Sequence, residues 1–553
     1  MTRAGSVGRA AALSGALITA GNGLGFVRDL TMAHLFGASG RTDAFLVAWT
    51  IPETVTPLLI EDAMALLMIP VMTRLLARGE GPRPLVVSTL PRLVAGLSAV
   101  TVTLIVGAPL VMRLLAPGLT EYGPGIQCVR LTAVTVVTLG VAGFMSATLR
   151  AHHRFGPPAA IYIVNNIGIL LLIAALSGTI GVTSAAVGIA FGSVLMVAVQ
   201  APGFVRCLRA PDRRPPGVPR SGDLEVRLGL AAVAPIVVYT VTRQAQVFVE
   251  RFLGSELAAG SISHLNYAQK VAQVPMVISL LVVTVTFPKL ARASAEGNVA
   301  EVARRIQRDL AIASAMVLVA TAFLVAFAPT VTRALFEHGE FTAADTRGTA
   351  SIMRVYALGL WGQTAVGLAA RAFFAGRRPT WRPAAVLLLG LAATAAIGAA
   401  FAASFGTLAL AAGNAAGITL AAVLLLVGLR ARVAPISLRR VASDVSRLAL
   451  AAAGACAAGL AVAATVPAGI VQLAAGGLVT TAVFAVLLVL AGPGLVASWI
   501  AVRNRTESGE TSEPSDRTDP SHRTDPGDRA GATGGADQAG AAGADVPLGR
   551  PLR

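Results

Sequence analysis

The sequence predicts an all-α polytopic membrane protein of about 14 transmembrane helices, with two similar bundles facing each other around a central cleft. Three observations carry this. Hydrophobic residues make up 55% of the 553 and charged residues only 13%, with a mean hydropathy of +0.71, well above an ordinary soluble chain. The apolar runs repeatedly reach the roughly 20 residues that carry an α-helix across about 30 Å of hydrocarbon, whereas membrane-barrel strands would be about 10 residues of alternating polarity. One long phrase also recurs. "GFVRDLTMAHLFGASGRTDAFLVAWTIP" is similar to "VFVERFLGSELAAGSISHLNYAQKVAQVP" about 222 residues later, with Phe26 over Phe248 and Pro52 over Pro275, which marks a duplicated fold.

Taken in order, the first bundle uses the apolar runs near 10–34, 44–73, 87–114, 126–149, 157–178 and 183–205. The opening run has a basic start and no clear small-residue cleavage site before the span continues, so it is expected to stay as the first helix. The second bundle uses the runs near 228–253, 262–288, 310–336, 348–374, 383–403 and 406–429, and the extra pair those near 447–470 and 472–499. A second repeated phrase, "LRAHHRFGPPAA" against "ARAFFAGRRPTWRPAA", keeps nearly the same spacing. That offset spans an even number of helices, so the halves are expected to be related by an axis along the membrane normal.

The connections alternate in charge. Arg74, Arg78 and Arg83, then Arg150 and Arg154, the run from Arg206 to Arg220, Lys289 to Arg308, Arg377 to Arg382, and Arg430 to Arg440 fall on one set of connections. "APGLTEYGPG", "SGTIGVT" and "FEHGEFTAADT" fall on the other. The positive-inside rule puts the arginine set in the cytoplasm of a plasma (inner) membrane and, with an even span count, both termini there too. The expected organisation is a bundle over 1–206, a basic loop over 207–227, a second bundle over 228–430, a loop over 431–446, two helices over 447–502 and a disordered tail over 503–553.

The net charge of +17 therefore reports topology, since the arginines sit in short connections and form no basic domain; a nucleic-acid partner is not expected. Cys128, Cys207 and Cys456 are widely spaced and read as packing residues, so no disulfide framework, metal or cofactor is expected. No nucleophile–base arrangement, metal-binding carboxylate pair or phosphate-cradling glycine loop is evident, which argues against an enzyme.

Charges inside the spans are the functional signal, because a mid-bilayer charge costs several kcal/mol unless it meets water or a partner. Arg92, Arg130 and Arg354 read as snorkelling from helix ends, and the four tryptophans as interface anchors or packing residues. Arg28, Asp43, Arg243, Arg251 and Lys270 remain as candidate cleft residues for substrate, with Glu53, Glu61 and Asp62 as acidic or coupling groups. Guanidinium and ammonium groups in a cleft suit a phosphate-bearing ligand, and the carboxylates keep the empty cleft from being uniformly positive. Pro52, Pro57 and Pro275 are expected to bend or break their helices and act as hinges.

These phrases resemble the MurJ/MviN family of lipid II flippases, within the superfamily that also holds multidrug antiporters. "LGFVRDLTMAHLFGASGRTDAFLVAW", "FVERFLGSELAAGSISHLNYAQKVAQVP" with "FPKLARASAEGN" after it, "LFEHGEFTAADT" and the "HHRFGPPAA" region occur in the family's order from about residue 10 to 440. The resemblance implies a 14-helix fold of two pseudo-symmetric six-helix bundles around a central cleft plus two C-terminal helices that help form a groove for a polyprenyl tail. It further implies alternating-access translocation of undecaprenyl-diphosphate-linked peptidoglycan precursor to the outer leaflet. It places Arg28 and Asp43 at the family's cleft Arg and Asp, and Lys270 at the basic position of its "YA-x-R" phrase. Asn22 and Thr56-Pro57 stand where the family usually has arginines, and residues 383–429 hold no Asp or Glu to complete the sodium site of some members. Coupling to membrane potential or another ion is expected instead. The residues leave open a flippase of another polyprenyl-linked glycan, an ion-coupled small-molecule exporter, and a transport-inactive cell-wall scaffold. Expected partners are the polyprenyl-diphosphate lipid, membrane lipids and, through the tail, cell-wall synthesis proteins.

Overall fold

The computed structural model describes residues 2–209, 224–374 and 380–491, and among them the chain forms fourteen helical rods and no strands. α1 is Thr2–Phe36. α2 runs Gly40–Thr56, passes through a π-helical turn at Pro57–Ala63 and resumes at Met64–Ala77. α3 is Arg83–Val106 with Ala108–Leu115 beyond Gly107, and α4 is Tyr122–Ala133 with Thr135–Ala151. α5 and α6 are Gly156–Ile180 and Thr183–Leu208. The second half repeats the series: α7 Leu224–Ser255, α8 Ser261–Ala295, α9 Val299–Phe336, α10 Ala343–Leu358 with Leu360–Phe374, α11 Arg382–Phe405 and α12 Thr407–Arg432. α13 Leu438–Thr465 and α14 Ile470–Ala491 complete the chain of rods. Ten helices among the described residues are long and apolar enough to cross a bilayer.

The duplication is visible in packing. In the first half α5 packs on α6, α1 on α5, α4 on α6 and α2 on α4; in the second, α11 packs on α12, α7 on α11, α10 on α12 and α8 on α10. α4 and α10 both break mid-rod, and the α5–α6 and α11–α12 turns use glycines of nearly identical backbone angles, Gly181 (φ 56°, ψ −137°) and Gly406 (φ 57°, ψ −135°). α13 and α14 pack on α9, where the Thr330 hydroxyl donates to Gln472 Oε1 at 2.5 Å. The described turns fall between the apolar runs, and the arginines flank every second one, many of them in the adjoining helix ends, so the rods have an arginine-rich end and an acidic-loop end.

Several boundaries shift for local reasons. α9 starts at Val299, eleven residues before the apolar run near 310–336, because Asn298 caps it (Oδ1 accepts from Glu301 N at 3.0 Å) and Glu301 pairs with Arg304 and Arg305. α13 starts at Leu438, where Ser437 accepts from Arg440 N at 3.3 Å, inside the expected 431–446 loop. It ends at Thr465, because Pro467 cannot continue a helix. Residues 210–223 of the basic loop, Arg377, Arg378, Trp499 and the 503–553 tail lie outside the described residues.

The helix prolines leave carbonyls without their i+4 donor, and three of these are taken by side chains from other rods. Pro52 frees Ala48 O, which accepts from the Thr132 hydroxyl at 3.3 Å. Pro57 frees Glu53 O, which accepts from Gln244 Nε2 at 2.9 Å. Pro329 frees Val325 O, which accepts from Arg354 Nε at 3.0 Å. Arg354 lies eleven residues, about 16 Å of helical rise, from the acidic-loop end of α10. It is therefore held by a proline-freed carbonyl rather than snorkelling from a helix end. Of these three pairings, only that of Pro57 joins the two bundles.

Candidate functional site

The bundles meet chiefly where α2 packs on α7 and α8, with α3 against α7 and α1 against α9 at the flanks. Arg28 sits on α1 facing this seam. Its Nε and one terminal nitrogen donate to Asp29 Oδ1 at 3.0 and 2.7 Å, and the other terminal nitrogen donates to Asn166 Oδ1 at 3.4 Å. Asn166 is fixed in turn, because its amide nitrogen donates to Gly21 O and Tyr162 O at 3.0 and 2.9 Å. The guanidinium carbon lies 4.6 Å from the Trp49 ring centroid, a cation–π contact contributing about 0.5–2 kcal/mol. Trp49, expected as an anchor or packing residue, is thus the platform that orients Arg28.

Lys270 on α8 reaches across the seam to Glu53 on α2, with Nζ 2.9 Å from Oε1. The partner oxygen, Glu53 Oε2, is buried with no hydrogen-bond partner among the described residues. Arg28 and Lys270 line one small cavity with Trp49 and Asn266. Lys270 and Glu53 also line a second cavity of about 230 Å³ with Arg243 and five glutamines. Lys270 therefore borders both cavities. Arg243 is exposed and makes no ion pair among the described residues.

Glu61, on the π-helical turn of α2, accepts from the Tyr162 hydroxyl at 2.8 Å, so it faces α5 within its own bundle. The side chain of Asp62 lies outside the described residues. Pro52 lies inside the unbroken Gly40–Thr56 helix and Pro275 inside the unbroken Ser261–Ala295 helix, whereas Pro57 opens the π-helical turn. Of the three expected hinges, only Pro57 coincides with a change of helix type.

Two expected cleft residues are placed elsewhere in this conformation. Arg251 is 2% exposed and directs its donors to Ile262 O (3.3 Å) and Asn266 Oδ1 (3.1 Å), while its neighbour Glu250 accepts from Asn414 at 2.5 Å. Both side chains find these partners inside the second bundle, with Arg251 Nε left buried without one among the described residues, because α7 turns this face toward α8 and α12. Asp43 is also 2% exposed. Its Oδ2 accepts from Gly260 N at 2.7 Å, and its Oδ1 from Ser263 N at 2.7 Å and Ser263 Oγ at 2.6 Å.

That arrangement is a helix cap supplied from the opposite bundle. The N-terminus of α8 leaves orphan N–H donors, and Gly260, with φ +90° and Ala38 O only 2.6 Å from where a Cβ would sit, has no room for a capping side chain. The corresponding start of α2 is capped locally by Ser39, whose Oγ accepts from Thr42 N at 3.3 Å. Two further contacts close the acidic-loop end: Glu340 N donates to His34 O at 2.9 Å and Gly118 N to Ser255 Oγ at 3.2 Å.

Sequence reasoning brought Arg28, Lys270, Glu53 and Arg243 to one cleft. It missed Trp49, Asn166 and the glutamines; the Gln269-Lys270 and Gln273 spacing on one helix face was the signal available for the last.

A family model described as lipid II flippase MurJ matches residues 32–487. The chain is 25% identical over 368 residues to the lipid II flippase MurJ of Burkholderia cenocepacia, covering 64% of this chain and 70% of that protein. Its fold is similar to a solved structure titled lipid II flippase MurJ, inward closed conformation (TM-score 0.72, 18% identity, 88% of this chain and 99% of that one). It is also similar to an inward-facing multidrug resistance MATE family transporter of the MOP superfamily (TM-score 0.62, 15% identity, 75% and 94%).

Proposed function

Because the chain belongs to the MurJ lipid II flippase family, we propose that its cleft carries lipid II from the cytoplasmic to the outer leaflet by alternating access. The observation that carries the reading is the pair of cations, Arg28 and Lys270, held on opposite bundles at one seam, each with its own carboxylate. A diphosphate entering the seam exchanges with Glu53 for Lys270 and with Asp29 for part of Arg28, so each cation keeps an anionic partner with and without substrate while the displaced carboxylates are taken up by water in the opened cleft. Lys270 also supplies from the second bundle a cation where Asn22 and Thr56 supply none in the first.

The 230 Å³ cavity is too small for a disaccharide-peptide head group, and the acidic-loop end is closed by Asp43. Loading therefore requires the arginine-rich end, which the positive-inside rule sets in the cytoplasm, to open. Release requires the Asp43 cap to part and the bundles, over 1–206 and 228–430, to rock about the Pro57 turn. The groove for the polyprenyl chain falls to α13 and α14 against α9, and contacts with cell-wall synthesis proteins fall to the 503–553 tail. The lipid leaves chemically unchanged, as transport requires, and membrane potential or an ion other than sodium supplies the direction.

The test is rescue of a bacterium depleted of its own lipid II flippase. Wild-type protein restores growth and wall synthesis, and an Arg28→Ala/Lys270→Ala double variant, present in the membrane at equal level, does not. Equal rescue by the double variant removes the reading.

A further inference from the structure

The wall of the larger cavity formed by the second bundle is unusual for a membrane interior. Five of the chain's ten glutamines line it: Gln244 and Gln246 on α7, Gln269 and Gln273 on α8, and Gln363 on α10. Gln244 is engaged with Glu53 O at 2.9 Å, and Gln246 is near Glu250 at 3.4 Å. The side chains of Gln269, Gln273 and Gln363 make no hydrogen bond among the described residues, and each residue is half-buried at the cavity wall. Every amide offers two donors and an acceptor with two lone pairs. An amide wall without protein partners is filled by water when the cleft is empty, at a cost to packing that an apolar wall avoids.

The fold does not demand these residues. The corresponding stretch of the duplicated helix α2, Leu46–Pro52, is apolar apart from Thr50 and packs into the first bundle's core, with Trp49 alone partly exposed. Arg243, exposed in the same cavity without an ion pair among the described residues, adds one cation on this side. The phosphate-facing cations, Arg28 and Lys270, lie at the edge of this wall, with Lys270 shared between both cavities. A head group anchored by its diphosphate at Lys270 would lay its neutral, polyhydroxylated and amide-bearing portion along the glutamines.

We propose that Gln269, Gln273 and Gln363 form a reading subsite for the sugar–peptide portion of the head group, with Arg243 receiving a carboxylate of the peptide. Hydroxyls and peptide amides have the mixed donor and acceptor character that glutamine matches and a purely cationic wall does not. The subsite selects for the sugar and peptide beyond the diphosphate, a role separate from holding the diphosphate itself. This rests on the lipid II reading above.

The test compares binding of lipid II and of undecaprenyl diphosphate, which lacks sugar and peptide, to the full chain in nanodiscs. Wild type is expected to prefer lipid II by at least about tenfold. Gln269→Leu/Gln273→Leu lowers lipid II affinity roughly tenfold and leaves undecaprenyl diphosphate affinity unchanged. Gln363→Leu, on a different rod, lowers the same preference on its own, which guards against a folding defect confined to α8. Arg243→Gln weakens lipid II but has no effect on lipid II whose peptide carboxylates are amidated. A preference unchanged in the glutamine variants, or both lipids weakened equally, overturns the subsite while Arg28- and Lys270-dependent lipid II binding keeps the flippase reading. Wild-type protein that binds neither lipid overturns both.

Discussion

Replacing Asp43 by alanine removes three hydrogen bonds that join the bundles, and the structure fixes how much that matters. Gly260 N–H, Ser263 N–H and the Ser263 hydroxyl all donate to one buried carboxylate at 2.6–2.7 Å. A hydrogen bond to a charged acceptor contributes about 1.5–3 kcal/mol, and loss of a helix N-cap typically costs about 0.5–2 kcal/mol. The donors are exposed to water once the gate opens, and Asp43 is rehydrated, so the net preference for the closed end is smaller than the sum, about 2–4 kcal/mol. At about 1.4 kcal/mol per decade, Asp43→Ala shifts the closed-to-open ratio at the acidic-loop end by about 30- to 1,000-fold. Asp43→Asn, which keeps an acceptor but loses the charge, falls between. Electron–electron distance measurements between spin labels at Thr120 and Ala258, exposed positions on opposite bundles, read this directly. The expected result is a long-distance population in Asp43→Ala that wild type lacks. Identical distance distributions in the two proteins would refute the capping argument.

Three other perturbations test the same geometry. Glu53→Gln leaves Lys270 without its counter-charge and is expected to tighten binding of undecaprenyl diphosphate while slowing its release, seen as a lower Kd with lower turnover; a weaker Kd contradicts the exchange of Glu53 for phosphate. Pro57→Ala returns a backbone donor to Glu53 O in competition with Gln244. Hydrogen exchange over 57–63 should slow and transport fall several-fold, and unchanged exchange there would show that the π-helical turn does not depend on the proline. Arg354→Leu is expected to cost about 1–2 kcal/mol of stability with Pro329 present and markedly less in a Pro329→Ala background; additive effects in this double-mutant cycle would disprove the carbonyl pairing.

The order of the rods was legible because apolar runs of spanning length are separated by polar connections, with arginines at every second one, a signal that needs no knowledge of packing. The duplication was legible for a similar reason, since Phe26 and Phe248 or Pro52 and Pro275 sit in phrases long enough to align by eye. What stayed hidden was the rotation of each rod. Arg251 and Arg28 occupy neighbouring registers of equivalent helices, yet α7 turns Arg251 into its own bundle and α1 turns Arg28 onto Trp49. Asp43 looked like a cleft acid because its partners, Gly260 and Ser263, lie more than two hundred residues away and donate to it largely through backbone groups that a sequence does not distinguish. The proline pairings were half visible. Each proline announces a freed carbonyl four residues earlier, but the side chain that fills it comes from another rod.

Translocation in proteoliposomes, with a probe that reports only head groups reaching the far leaflet, shows whether this cleft moves lipid II by means of Arg28 and Lys270. Purified wild-type protein is expected to flip lipid II well above protein-free vesicles, and Arg28→Ala and Lys270→Ala each to abolish it without loss of folded protein. Folded wild-type protein that flips nothing, with or without an imposed membrane potential, or variants that flip as fast as wild type, would show that Arg28 and Lys270 do not move lipid II.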